Sequence, residues 1–238
     1  MAIPQNQVPA TAQEAVLNLA KALGVEIEIK GSQEQIEAQE PKKKHKGRKL
    51  PKVLNAQQVD KLFAPINIEC NTGLRNRTIC ETMLCAGLRV SEICNLAPGS
   101  VDFTEDMIHI IDGKGGVDRN VPIRPSLREW LEKWDEIRPR DSEFFFCAVN
   151  KGTQLLPRYL NQVLERLSNK SGVFLQDGQK QVPVSCHKLR HTCATNWLRE
   201  GFSLPEIQRL LGHSNIQTTL IYLEVSMEDI KNKMMKLE

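Results

Sequence analysis

His187, Arg190 and His191 stand at positions i, i+3 and i+4 of the segment after Ser185, a spacing that places all three on one face of a predicted helix. His213 follows at the turn between the next two predicted helices, and Tyr222 lies about two turns into the third. Upstream, Arg89 sits inside the apolar stretch Ala86-Gly87-Leu88-Arg89-Val90, where a charge is costly unless it meets a partner. Lys114 is held among Gly113, Gly115 and Gly116. Two arginines, two histidines, a lysine and a tyrosine, with no carboxylate cluster for a metal, suit phosphoryl transfer. Its transition state gathers negative charge on non-bridging oxygens, which guanidiniums match through paired hydrogen bonds. A tyrosine can attack phosphorus and hold the product as a covalent ester. A lysine can protonate the departing oxygen, and imidazoles move protons near neutrality.

Each residue alone also has a plainer reading. Arg89 fits a buried ion pair with Glu92 one turn away. Lys114 fits an exposed turn, and His213 a helix-end residue facing the dipole. Tyr222, between Ile221 and Leu223, fits the core, although it is one of only two tyrosines and Tyr159 matches no motif. His191 reads as structural, a candidate for bonding a backbone carbonyl. Jointly, these readings require a coincidence of spacing.

The elements that must position the set follow from periodicity and breakers. From Asn55 to Leu96 the pattern is helical, with breaks at Pro65 and at Asn71-Thr72-Gly73 and a firm stop at Leu96-Ala97-Pro98-Gly99. Met107–Ile111 and Asn120–Ile123 read as two strands joined by the glycine turn, a β-hairpin with Lys114 at its tip. Leu127, Trp130, Leu131 and Trp134 share one helical face, and Leu160, Val163, Leu164 and Leu167 another. The segment Gly172–Pro183 reads as a loop or a second small hairpin. Three capped helices close the domain, with Ser185, the box Ser203–Glu206 and Ser214 as caps and Gly201 and Gly212 as stops.

At 238 residues, 40% hydrophobic and 26% charged, the chain is a globular protein of one or two domains. It has no apolar run of about eighteen residues, which argues against a transmembrane helix, and no secretory start. Its seven cysteines form no C-x-x-C pair; scattered through apolar segments, they suit reduced, buried thiols in a cytoplasmic protein.

The net charge of +3 hides an uneven distribution. Residues 1–40 sum to −4, residues 41–52 to +7, and the remainder to zero. The basic stretch holds Lys42, Lys43, Lys44, Lys46, Arg48 and Lys49, and reads equally as a solvated linker or as a strap along nucleic-acid phosphates. Before it, Thr11 and Glu14 form a capping box for one helix, and Val25, Ile27 and Ile29 alternate as in a short strand.

With these stretches in view, the sequence resembles the tyrosine recombinase (phage integrase) family. The matching segments are Ala86-Gly87-Leu88-Arg89-Val90-Ser91-Glu92, Gly113-Lys114-Gly115, His187-Lys188-Leu189-Arg190-His191 and Leu211-Gly212-His213, with Tyr222 nine residues further on. The resemblance spans Val53 to Val225. It implies a mainly helical α+β catalytic domain with a small antiparallel sheet. Tyr222 is then the nucleophile forming a 3′-phosphotyrosine, and Arg89 and Arg190 are the phosphate clamp. Lys114 is the acid for the leaving 5′-oxygen, His187 assists the nucleophile's proton, His213 donates to the phosphate, and Glu92 supports the site.

The expected layout is a short N-terminal segment (1–40), a basic linker (41–52), a catalytic domain (53–225) and a tail helix (226–238). Family members mostly carry an N-terminal DNA-binding domain of about a hundred residues; here 52 residues precede Val53, so the basic stretch is expected to help hold DNA. Met227, Ile230, Met234 and Leu237 form an apolar stripe that fits docking on a neighbouring protomer or on the chain's own domain. The expected activity is site-specific DNA recombination or integration without metal or cofactor. Its partners are double-stranded DNA, further copies in a synaptic tetramer and accessory DNA-bending proteins, with no membrane. The alternatives are type IB topoisomerase-like relaxation, a non-catalytic DNA-binding regulator and a metal nuclease.

Overall fold

In a computed structural model, the described residues, 52–111, 118–177, 179–212 and 234–235, form seven α-helices and two small antiparallel sheets. The readings for residues 1–51, the Lys114 turn, His213, and the last helix with Tyr222, Met227, Ile230 and Leu237 lie outside the described residues.

Helix α1 (Ala56–Phe63) starts with a reciprocal cap: Asn55 Oδ1 accepts from the Gln58 N–H at 2.8 Å, and Gln58 Oε1 accepts from the Asn55 N–H at 3.0 Å. Helix α2 (Asn71–Cys85) begins where a break was expected. Gly73 lies in its first turn because the preceding loop crosses it closely; a Cβ there would stand 1.7 Å from the Asn67 carbonyl oxygen. This glycine serves a close approach and does not interrupt the helix.

Helix α2 packs against both α4 (Pro125–Ile137) and α6 (Cys186–Arg199), so it is buried on more than one face. Its buried threonines each find a carbonyl one turn back. Thr78 and Thr82 donate to the carbonyls of Leu74 and Thr78 at 2.9 and 2.8 Å. On α4, Leu127, Leu131 and Trp134 are buried, and on α5 (Pro157–Ser171) Leu160, Leu164 and Leu167; Trp130 and Val163, predicted on the same faces, are only half-buried. Trp134 donates its indole N–H to the Phe145 carbonyl at 2.8 Å, and Phe145 meets Phe146 edge-on at 4.9 Å. Such large apolar side chains each contribute roughly 1.5–3 kcal/mol on burial.

Helix α3 (Val90–Asn95) leads through a 3₁₀ turn, Pro98–Ser100, into the first sheet. Its strands, β1 (Val101–Asp102), β2 (Met107–Ile110) and β3 (Arg119–Pro122), pair antiparallel in that order. The expected hairpin is present, with β3 beginning one residue earlier than predicted; β1 is too short to show an alternation and was not foreseen. Ile108 pairs with Val121 and Ile110 with Arg119, and all four are buried, so Arg119 is on the inward face. The segment after α5 resolves as a hairpin, β4 (Phe174–Asp177) with β5 (Lys180–Pro183).

Ser185 occupies the N-cap of α6, as expected, but makes no capping bond through its side chain, and the helix ends at Arg199, two residues short of Gly201. Helix α7 (Leu204–Leu211) has the predicted Ser203–Glu206 pairing: Glu206 Oε2 accepts from the Ser203 N–H and hydroxyl at 2.7 and 2.6 Å. Five cysteines are buried, whereas Cys70 is exposed and Cys85 half-buried. Burial pushes the Cys94 thiol up to about 11 and Cys186 to about 12. Among the described residues no helix is long and apolar enough to cross a membrane.

Candidate active site

Arg89 occupies the N-cap of α3, and its main-chain N–H donates to Glu92 Oε2 at 2.6 Å while its Nη1 donates to Glu92 Oε1 at 2.8 Å. The ion pair read from the sequence is therefore present, but it belongs to a larger assembly. Glu92 also accepts from Arg119 Nη1 and Nη2 at 2.9 and 2.8 Å, and Arg190 Nη1 stands 3.7 Å from Glu92 Oε2. Three guanidiniums, from the start of α3, from β3 and from α6, meet at one carboxylate whose side chain is 7% exposed.

The same three arginines reach the end of α7. Arg119 Nε donates to the Leu210 carbonyl at 2.7 Å, Arg190 Nη2 to Leu211 at 2.6 Å, and Arg89 Nη2 to Gly212 at 2.8 Å. Carbonyls in the last turn of a helix lack intrahelical partners and carry the negative end of the dipole, which accounts for cations collecting there. Arg190 Nη1 donates in addition to the Gly87 carbonyl at 2.5 Å, fixing the turn before Arg89. Gly212 has φ +64°, and a Cβ on it would lie 2.8 Å from Arg119 Nη1, so both its conformation and its space call for glycine.

Burial by itself favours the neutral form of Glu92. The Arg119 hydrogen bonds and charge, the Arg89 N–H and the Arg190 charge outweigh it and hold the carboxyl below its ordinary range. Three guanidiniums therefore share this one carboxylate. Arg190 is almost fully buried, while the Arg89 side chain keeps 34% of its surface exposed.

One turn before Arg190 on α6, His187 Nε2 lies 2.8 Å from His191 Nε2, with the rings edge-on at 4.2 Å. One of these nitrogens must lack its proton for the bond to form. Burial first, then the charges of Arg190 and Lys188, push the His187 pKa down, so its imidazole is neutral at physiological pH and able to take a proton. His191, read from the sequence as structural, is paired with His187.

The structure thus brings Arg89, Arg190 and Glu92 together and sets His187 one helical turn from Arg190. Lys114, His213, Tyr222, Lys42, Lys43, Lys44, Lys46, Arg48 and Lys49 lie outside the described residues. Sequence reasoning missed Arg119. Its signal was parity: it shares a strand face with Val121, a charge on the inward side of an apolar hairpin.

Residues 52–229 match the phage integrase family. The chain belongs to the phage integrase family. Among its relatives, Tyrosine recombinase XerA of Thermococcus onnurineus is 36% identical over 218 residues, covering 90% of this chain and 72% of that protein. Tyrosine recombinase XerC of Chlamydia caviae is 34% identical over 187 residues, covering 76% of this chain and 57% of that protein. The crystal structure of XerA recombinase superposes with a TM-score of 0.65 at 26% identity, over 92% of this chain and 73% of its own. XerH site-specific recombinase bound to palindromic difH substrate in a post-cleavage complex gives 0.65 at 27% identity, over 80% of this chain and 54% of its own. This phage integrase family member accordingly has the mainly helical tyrosine recombinase catalytic fold and is a DNA strand-transferring enzyme.

Proposed function

We propose that this chain cuts and rejoins double-stranded DNA at a specific site through a 3′-phosphotyrosine intermediate. The observation that carries the proposal is the convergence of Arg89 and Arg190 on Glu92 and on the end of α7, which sets two guanidiniums side by side with Arg119 bridging the carboxylate between them. A scissile phosphate bound there presents its non-bridging oxygens to both guanidiniums. Tyr222 Oη then attacks phosphorus, its proton passing to His187, while the bond from phosphorus to the 5′-oxygen breaks and Lys114 protonates that oxygen. His213 donates to a non-bridging oxygen. Attack by a 5′-hydroxyl from another strand reverses the step, so joining needs no ATP.

The DNA-bound relatives favour duplex DNA as the substrate: the XerH structure is a complex with difH. Recombination needs two duplexes, hence four protomers, and a tetramer with accessory DNA-bending proteins is part of this reading. Topoisomerase-like relaxation is the less favoured alternative, since the relatives cited are recombinases. The deciding experiment supplies two marked copies of a target site. Reciprocal recombinant products support the proposal; relaxation of supercoils with no recombinants would replace it with the alternative.

A further inference from the structure

Arg119 occupies the centre of the arginine assembly without the exposure of a residue that meets substrate. It is 7% exposed, and its side chain is engaged on both sides. Nη1 and Nη2 bridge the two oxygens of Glu92, and Nε holds the Leu210 carbonyl. Gly212 closes over it, leaving no room even for a methyl group.

The electrostatics show what this accomplishes. Glu92 is a buried carboxylate that already touches Arg89 at 2.8 Å and lies 3.7 Å from Arg190. Without Arg119, the carboxylate's charge would fall on those two alone, drawing them toward Glu92 and cancelling part of the charge they present to a phosphate. With Arg119 bridging it, Glu92 acts as an anchor and no longer as a competitor. Arg119 also ties β3 to the last turn of α7, whose next carbonyls hold Arg190 and Arg89. Only a planar fork can span two carboxylate oxygens and a carbonyl at once.

We infer that Arg119 is a positioning residue for strand transfer: it neutralises Glu92 and fixes the end of α7 so that Arg89 and Arg190 keep their orientation and charge for the scissile phosphate. The inference rests on the strand-transfer reading above and assigns Arg119 no contact with DNA.

The test measures single-turnover formation of the covalent protein–DNA adduct by the full chain at saturating DNA. Two substrates are used: a normal scissile phosphate, and a methylphosphonate lacking one charged non-bridging oxygen. Arg119→Lys should slow the reaction on the normal phosphate by about 10- to 100-fold, the scale set by misplacing a catalytic group, with DNA affinity unchanged. On the uncharged methylphosphonate the loss should shrink to about threefold or less, because less charge must be stabilised. The double variant Glu92→Gln/Arg119→Met should react faster than Arg119→Met, since the uncompensated carboxylate is gone. Thermal melting of each variant reads folding separately.

Equal losses on both substrates, or a double variant no faster than the single, would overturn the inference and leave Arg119 a scaffold residue. An Arg119→Lys protein as fast as wild type would overturn it as well. If wild type itself forms no adduct, the strand-transfer reading fails first, and the two failures are distinguished.

Discussion

Arg190 and Arg89 donate to adjacent main-chain carbonyls, Leu211 at 2.6 Å and Gly212 at 2.8 Å, although 101 residues separate the two arginines in the chain. The end of α7 is thus a template on which two distant guanidiniums are set side by side. Glu92 provides the second fixed point. The consequences can be measured at each component.

Glu92 is the first. Replacing it with Ala removes the buried carboxylate that both terminal nitrogens of Arg119 hold, and removal of one partner from such a network costs about 3–5 kcal/mol. Denaturant titration at pH 7 checks this. Its carboxyl is held below its ordinary 4.5, so the unfolded chain binds more protons than the folded one as pH falls past that value. The contribution of Glu92 to stability is complete above pH 4.5 and is lost progressively below it. Glu92→Gln should therefore lose stability at neutral pH and show a flatter decline below pH 4.5 than wild type.

His187 sets a second pH dependence. Burial and the Arg190 charge lower its pKa from 6.5, so the acid limb of adduct formation should lie below pH 6.5. The depressed pKa also means that acidification below 6.5 favours the unfolded chain through this residue. A pH–rate series should show the limb in wild type and its loss in His187→Gln. An unchanged limb in the variant would assign the proton to another group.

Gly212→Ala tests the template itself. A side chain in the left-handed region costs on the order of 1–3 kcal/mol, and here the new methyl also presses on Arg119. The expected result is a lower unfolding midpoint together with slower adduct formation at saturating DNA.

The basic stretch gives a prediction of a different kind. Replacing Lys42, Lys43, Lys44, Lys46, Arg48 and Lys49 with Ala should weaken binding to any duplex and flatten its salt dependence. Each lost phosphate contact removes about 0.9 from the log–log slope. A slope equal to wild type would leave the stretch as a solvated linker.

Much of this arrangement was legible from local spacing. His187 and Arg190 share a helix, and Arg89 and Glu92 one turn, so their proximity is dictated by 3.6 residues per turn. The β2–β3 hairpin followed from alternation, and the stop at Gly212 from its place after an amphipathic run. What escaped was non-local. Arg119 meets Glu92 across 27 positions and Leu210 across 91, and no periodic pattern encodes those contacts. A glycine required by a neighbouring loop, as Gly73 is, and a glycine that ends a helix look alike in sequence. The partner of His191 is by contrast local: His187 lies four residues earlier on the same helix face.

The most direct measurement of the central claim is covalent capture on a nicked duplex whose cleaved fragment diffuses away and prevents rejoining. Wild type should yield a denaturation-resistant adduct joined to DNA through a 3′-phosphate on Tyr222, and Tyr222→Phe should bind the same duplex and yield none. An adduct that survives in Tyr222→Phe, or none from wild type on a duplex carrying its target site, would contradict the account.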